Sequence, residues 1–220
     1  MRRKLIITMF VILLLLVAAA GGLFLARPSI IDMQRQASEE ELLNLIQSGQ
    51  TQIEVFPVPA MEGEEVEFAE LQYDVSETEV ELIEVTGYGV ISIPSIELEM
   101  PLVKGADSYS LRAAAGWYPE SAEMGAAGNC VIFGHRMSGY GRHFNRLDEL
   151  KKGDQITLYN ANGEHFTYTV IGSEVIKPDV LMDTLLEHNE GFSLTLVTCT
   201  PTGVGSHRLL VYAQMDTSVG

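Results

Sequence analysis

Cysteine is scarce in this chain: there are two in 220 residues, Cys130 and Cys199. At most one disulfide can form, so a small scaffold held together by several bridges is excluded. No Cys-x-x-Cys pair occurs, and no two histidines stand at helical spacing, so the spacings that build zinc sites are missing. No metal and no cofactor are therefore expected. Lysine and arginine are absent from the whole stretch 38–86, where Glu39 to Glu41, Glu62 to Glu70 and Asp74 to Glu84 crowd together, and the formal net charge is −16. A chain so acidic has no use for a polyanion, which sets nucleic acid aside as a partner. The block repels itself, and its default role is a solvated, extended spacer.

One long apolar run is present. Arg2, Arg3 and Lys4 precede Leu5 to Ala26, a stretch long enough at helical rise to cross a hydrocarbon core of about 30 Å. Positive charge ahead of the span predicts the N-terminus inside and everything after Arg27 outside. The small residues Ala18 to Gly22 also suit a cleavable signal peptide. The run continues through Leu23, Phe24 and Leu25, which favours an uncleaved, single-pass anchor contacting the membrane through residues 5–26. Either way the body of the protein is expected outside the cytoplasm, with no second apolar span before Gly220.

Three segments follow: 1–37 as anchor and flank, 38–86 as an acidic linker, and 87–220 as the main folded body. Within the linker, Ser38 and Glu41 form a capping box, Leu42, Leu43, Leu45 and Ile46 give one apolar face, and Gly49 ends the helix. Such a helix is expected to be a simple juxtamembrane turn. Pro57 and Pro59 then break regular structure.

Beyond Val85 the periodicity changes to strands. Val90 to Pro94, the alternating Ile96 to Val103, Cys130 to Arg136, Gln155 to Tyr159, Glu164 to Ile176, Phe192 to Thr200 and His207 to Met215 all qualify. Asn160-Ala161-Asn162-Gly163 marks a hairpin loop. Short helical pieces are expected at about 108–115, 145–152 and 178–187. About seven or eight short strands with little helix predict an all-β fold, a closed β-barrel.

The chemistry is carried by three residue types near strand ends. Cys199 ends the apolar run Leu194-Thr195-Leu196-Val197-Thr198-Cys199, and Arg208 follows nine residues later, opening the last strand. A fixed cation favours the thiolate and can hold the negative oxygen of a tetrahedral intermediate. His135 closes another apolar strand and supplies a candidate base. Neighbours in a strand point to opposite faces, so only one of His207 and Arg208 can face Cys199. His143, His165 and His188 lack such context and read as surface residues. Cys130, set among Val131, Ile132 and Phe133, reads as a buried inert thiol, with a Cys130–Cys199 bridge as the competing possibility.

Thr195-Leu196-Val197-Thr198-Cys199-Thr200-Pro201, Arg208 and Gly134-His135-Arg136 together resemble the sortases, cysteine transpeptidases of Gram-positive cell surfaces. Gly116 to Ser121 and Phe144 to Asp148 add to the likeness, which extends from about Gly87 to the C-terminus. The resemblance implies a sortase-type barrel preceded by a transmembrane helix. It implies that Cys199 attacks a Leu-Pro-x-Thr-Gly-like sorting signal of a surface protein, that His135 exchanges protons with leaving and incoming amines, and that Arg208 binds oxyanion or substrate backbone. Thr198 is expected to support substrate or oxyanion, by its hydroxyl or by orienting the loop. The acceptor would be an amine of a cell-wall precursor or a pilin lysine. Tyr140 to Asp148 looks like the single-anchor class D group, while the Cys199 run and His207-Arg208 are also similar to pilin-assembling class C enzymes. In those enzymes a lid covers the site, but its Asp-x-aromatic anchor has no clear copy in the acidic block. A papain-like enzyme is disfavoured, because its cysteine precedes its histidine. The alternative from another class is a membrane-anchored barrel that binds peptide or polymer without chemistry.

Overall fold

In a computed structural model, the described residues are 33–55, 83–107, 110–136, 143–187 and 191–215, together with Met9. The apolar run 5–26, apart from Met9, and the acidic stretch 56–82 lie outside them. Among the described residues no helix is long and apolar enough to cross a membrane. Along the chain come α1 (33–47), β1 (Gln52–Val55), β2 (Ile83–Ile93), β3 (Leu98–Lys104), β4 (Ala115–Trp117) and β5 (Gly128–Phe133). Then follow β6 (Gln155–Asn160), β7 (His165–Ile176), α2 (Leu181–Glu187), β8 (Phe192–Thr200) and β9 (His207–Met215).

The strands pair in the order β1-β2-β3-β4-β5-β8-β9-β7-β6, and β6 returns to pair with β2. Eight strands thus close a barrel, with β1 added as a flap on the first residues of β2. Closure removes the open edges that would otherwise template aggregation. The β6–β7 hairpin turns at Asn160, whose side-chain oxygen accepts from the N–H groups of Asn162 and Glu164 at 3.0 Å each, while Gly163 takes the positive φ of 82° that the turn requires. Two neighbouring pairs, β3–β4 and β5–β8, are parallel, so the chain must cross over between their members.

Strand alternation divides the apolar residues into two sets. Ile91, Met100, Leu102, Cys130, Ile132, Leu158, Tyr168, Leu194, Leu196, Leu209 and Val211 fill the barrel interior. Val131, Phe133, Val197, Cys199 and Leu210 point the other way and are covered by Leu181 and Leu185 of α2 and by Ala106 and Leu111. Leu181 and Leu185, four apart, share one helix face, which explains why so short a helix stays on the sheet.

The N-terminal helix differs from expectation. It already runs at residue 33, so Ser38 lies inside it rather than capping it. It does end where Gly49 predicts: the Gln50 N–H donates to the Leu45 carbonyl and the Gly49 N–H to the Ile46 carbonyl, both at 3.0 Å, with Gly49 at φ 89°. Nor is it a bare juxtamembrane turn. Leu42 and Ile46 are buried against Val85, Val90, Val103, Ala113 and Ala114 on the outside of the barrel. The described ends of the acidic stretch are folded too, because β1 pairs Gln52–Val55 with Ile83–Thr86.

Candidate active site

The three strands that carry the chemistry lie side by side. β8 and β9 are antiparallel, and their register sets Cys199 directly opposite Arg208 and Thr200 opposite His207. β5 and β8 are parallel, with Phe133 beside Val197. Two further contacts continue that register past the end of β5: the Gly134 N–H donates to the Val197 carbonyl at 3.1 Å, and the Thr198 hydroxyl donates to the Gly134 carbonyl at 2.7 Å. His135 therefore comes level with Cys199. Val131, Phe133, Val197, Cys199 and Leu210 belong to one apolar cluster, so His135, Cys199 and Arg208 project from the same side of the sheet.

All three are buried: Cys199 is 2 %, His135 4 % and Arg208 5 % exposed. The turn between β8 and β9 explains much of this. A methyl group added at Gly205 would sit 3.9 Å from Cys199 Sγ, so the turn lies on the sulfur. Arg208 Nη1 donates to the Gly205 carbonyl at 2.9 Å and to the His207 carbonyl at 3.3 Å. Guanidinium and thiol thus share a neighbour. Sequence reasoning passed over Gly205, although the Gly203-Val204-Gly205 run was its signal: both glycines hold positive φ, 75° and 62°.

The histidine is clamped through its main chain. Its carbonyl accepts from the Phe144 N–H at 3.0 Å, and the ring of Phe144 packs so closely on Gly134 that a Cβ there would meet Phe144 Cδ2 at 2.6 Å. That contact accounts for a glycine immediately before the histidine. Thr198 lies on the opposite side of β8 from Cys199, fully buried, with its proton committed to the Gly134 carbonyl. The bond ties β8 to the residue before His135.

The two cysteines stay apart. They are not bridged: Cys130 pairs with Leu194, five residues before Cys199 along β8, and it points into the barrel. Burial pushes the Cys130 thiol up to about 12 from an ordinary value of 9.0, so it is held protonated and unreactive. His207 shares a 3.0 Å hydrogen bond with the Ser206 hydroxyl and is turned from Cys199 by alternation. His143 is not a surface residue. Its φ is positive at 46°, its side chain is buried, and Nε2 lies 3.5 Å from Glu39 Oε2 of α1. His165 is exposed, and His188 lies outside the described residues. Among the described residues no cluster of His, Cys, Asp and Glu could hold a metal.

A family model for the sortase domain matches residues 91–216. The chain belongs to the sortase family. This sortase is 34% identical over 132 residues to Sortase D of Bacillus subtilis (strain 168), covering 59% of this chain and 64% of that protein. It is 37% identical over 123 residues to Sortase A of Bacillus anthracis, covering 56% of this chain and 57% of the relative. The matched part thus spans less than two thirds of either relative. A crystallised sortase C of Clostridium perfringens, solved with the C-terminal cell wall sorting motif, superposes with a TM-score of 0.51 at 28% identity over 58% of this chain and 69% of its own.

Proposed function

We propose that this sortase is a cysteine transpeptidase that cleaves a Leu-Pro-x-Thr-Gly-like sorting signal near the C-terminus of surface proteins and transfers the acyl group to an amine of the cell wall. The observation that carries the proposal is the register placing an unbridged Cys199 opposite Arg208 and level with His135 on one side of the sheet.

The Cys199 sulfur attacks the scissile carbonyl carbon, and the S–C bond forms as the carbonyl oxygen takes negative charge. Arg208, a permanent cation on the adjacent strand, stabilises that oxygen or holds the peptide backbone beside it. The C–N bond then breaks, His135 gives the leaving amine its proton, and a thioester remains. An incoming amine attacks the thioester, returns a proton to His135, and releases the sulfur as the new amide forms. The β8–β9 turn comes close to the Cys199 side chain at Gly205, so in this mechanism it shifts to admit the peptide and closes again over the thioester, where it limits hydrolysis.

Residues 5–26 serve in this proposal as a single-pass anchor that holds the catalytic domain outside the cytoplasm, with the acidic stretch as its tether. The class D-like assignment rests on the Tyr140 to Asp148 stretch and on the likeness to Sortase D of Bacillus subtilis. The test is a peptide–amine exchange assay with a Leu-Pro-x-Thr-Gly peptide and a panel of amines. Cys199→Ala and His135→Ala should each abolish product, whereas Cys130→Ala should not. Unchanged exchange by Cys199→Ala would refute the covalent mechanism, and no exchange by the wild-type protein on any peptide–amine pair would leave the barrel as a binding module.

A further inference from the structure

β5 ends at Phe133, and the Gly134 N–H continues its pairing to the Val197 carbonyl. Beyond that bond, side-chain contacts help set how far the His135 end of β5 stands from the Cys199 end of β8. The residue placed to do so is Arg136. Its Nη1 donates to the Thr200 hydroxyl at 2.8 Å, and its Nη2 lies 2.8 Å from Asp148 Oδ2. Arg136 directly follows His135, and Thr200 directly follows Cys199. The bond between them spans the two strands one residue past the pair proposed to do the chemistry.

We infer that Arg136 is a positioning residue for the transfer reaction, a brace that fixes the separation of the thiol and the imidazole from behind. This rests on the assignment of Cys199 and His135 made under the proposed function. Three features support it. The guanidinium side chain is only 8 % exposed, which shelters its bond to Thr200, while the Asp148 carboxylate that pairs with it from the other side is 55 % exposed and holds it less strongly. It is a planar fork holding two partners at once, one on β8 and one on the 3-10 turn His143–Glu149, a task a lysine ammonium does less well. That turn is the one whose Phe144 N–H holds the His135 carbonyl. The path from His135 through Phe144 and Asp148 to Arg136 is thus closed into a ring, and Thr200 ties the ring to the nucleophile strand. Strand alternation puts Thr200 and Cys199 on opposite sides of β8, so the brace acts without touching the peptide.

The test uses the full chain and four variants, Arg136→Gln, Arg136→Lys, Thr200→Val and Asp148→Asn, in the peptide–amine exchange assay, with thermal unfolding followed by circular dichroism. A slackened pair loses attack geometry, so Arg136→Gln should lower kcat by about ten- to a hundredfold while KM stays within about twofold. Arg136→Lys should recover part of kcat through a single contact. Thr200→Val should lower kcat on its own, and combining it with Arg136→Gln should add no further loss, because both break one link. A fall in kcat with unfolding midpoints above the assay temperature supports the brace. Wild-type kcat in Arg136→Gln, a rise in KM alone, or fully additive losses would overturn it. Should Arg136→Gln fail to fold, Thr200→Val decides: a lowered kcat supports the brace, and an unchanged kcat overturns it. Exchange that persists in Cys199→Ala would sink the site assignment itself, whereas full exchange in Arg136→Gln beside an inactive Cys199→Ala would sink only the brace.

Discussion

Replacing Gly134 with alanine should damage activity more than stability. The backbone at Gly134 is not in the positive-φ region, so the added methyl brings no conformational strain and the whole effect is steric. The new Cβ would lie 2.6, 2.8 and 2.9 Å from Cδ2, Cγ and Cε2 of Phe144. Carbon atoms in ordinary contact stand about 3.5–4.0 Å apart, so ring and main chain must separate by about 1 Å. Phe144 cannot take up that shift easily: it is fully buried in the barrel interior, and its N–H holds the His135 carbonyl at 3.0 Å. The displacement therefore falls on Gly134 and carries His135 with it. Overpacking of this kind costs about 1–3 kcal/mol of stability. A shift of about 1 Å in a reacting group costs about a hundredfold in rate, to be read in kcat rather than KM. Urea unfolding and peptide–amine exchange kinetics measure the two effects separately. Adding Phe144→Leu, which shortens the ring side, should restore part of kcat in the double variant despite lowering stability further. Wild-type kcat in Gly134→Ala, or no rescue by Phe144→Leu, would refute the reasoning.

The remaining predictions concern the second thiol and the N-terminal helix. Burial raises the Cys130 thiol from 9.0 to about 12, so between pH 9 and pH 12 the unfolded chain gives up a proton that the folded chain keeps. The stabilisation tied to that proton is intact below pH 9 and is lost as pH rises toward 12. At pH 11 wild type should have lost about 3 kcal/mol that Cys130→Ala does not lose, at about 1.4 kcal/mol per pH unit. Urea unfolding of both proteins at pH 8 and 11 checks this, and a gap that stays constant with pH contradicts it. If the β8–β9 turn opens as the mechanism requires while the barrel interior stays closed, an alkylating reagent at pH 8 modifies folded protein at Cys199 and leaves Cys130 intact; peptide mapping that finds label on Cys130 would argue against its burial. Leu42→Ala should cost about 2–5 kcal/mol, because that side chain is buried between α1 and the barrel wall. A loss under about 0.5 kcal/mol in urea unfolding would show that α1 does not contribute to the folded body.

Elements whose partners are supplied by their own pattern were legible in the sequence. β8 and β9 run from Phe192 to Thr200 and from His207 to Met215, as alternation and the glycine-rich turn predict, and the Asn160–Gly163 hairpin falls where its turn residues place it. Elements that depend on distant partners were not. β1 buries Ile53 and exists because Ile83–Thr86 pairs with it across a long stretch of chain. β4 is three residues of Ala, Gly and Trp, with no β-branched residue to mark it, and it forms because β3 and β5 flank it. The Ser38 capping box was a real local pattern overridden by packing, since the helix extends back to residue 33 while Leu42 and Ile46 dock on the barrel. His143 looked like a polar surface residue because nothing in the sequence shows that Glu39 of α1 lies against it. For the site, alternation allowed only one of His207 and Arg208 to face Cys199, the likeness to sortases pointed to Arg208, and the register sets Arg208 opposite Cys199. What the sequence could not show were contacts made across the fold: the Phe144 ring on Gly134, Gly205 on Cys199, and the Arg136 bridge to Thr200 and Asp148.

The most direct test is to incubate the protein with a sorting-signal peptide without an amine acceptor, quench in acid, and map the adduct by mass spectrometry. The mechanism predicts an acyl group on Cys199, released when an amine is added and missing from Cys199→Ala. An adduct on Cys130, or product formed by Cys199→Ala with no adduct at all, would contradict it.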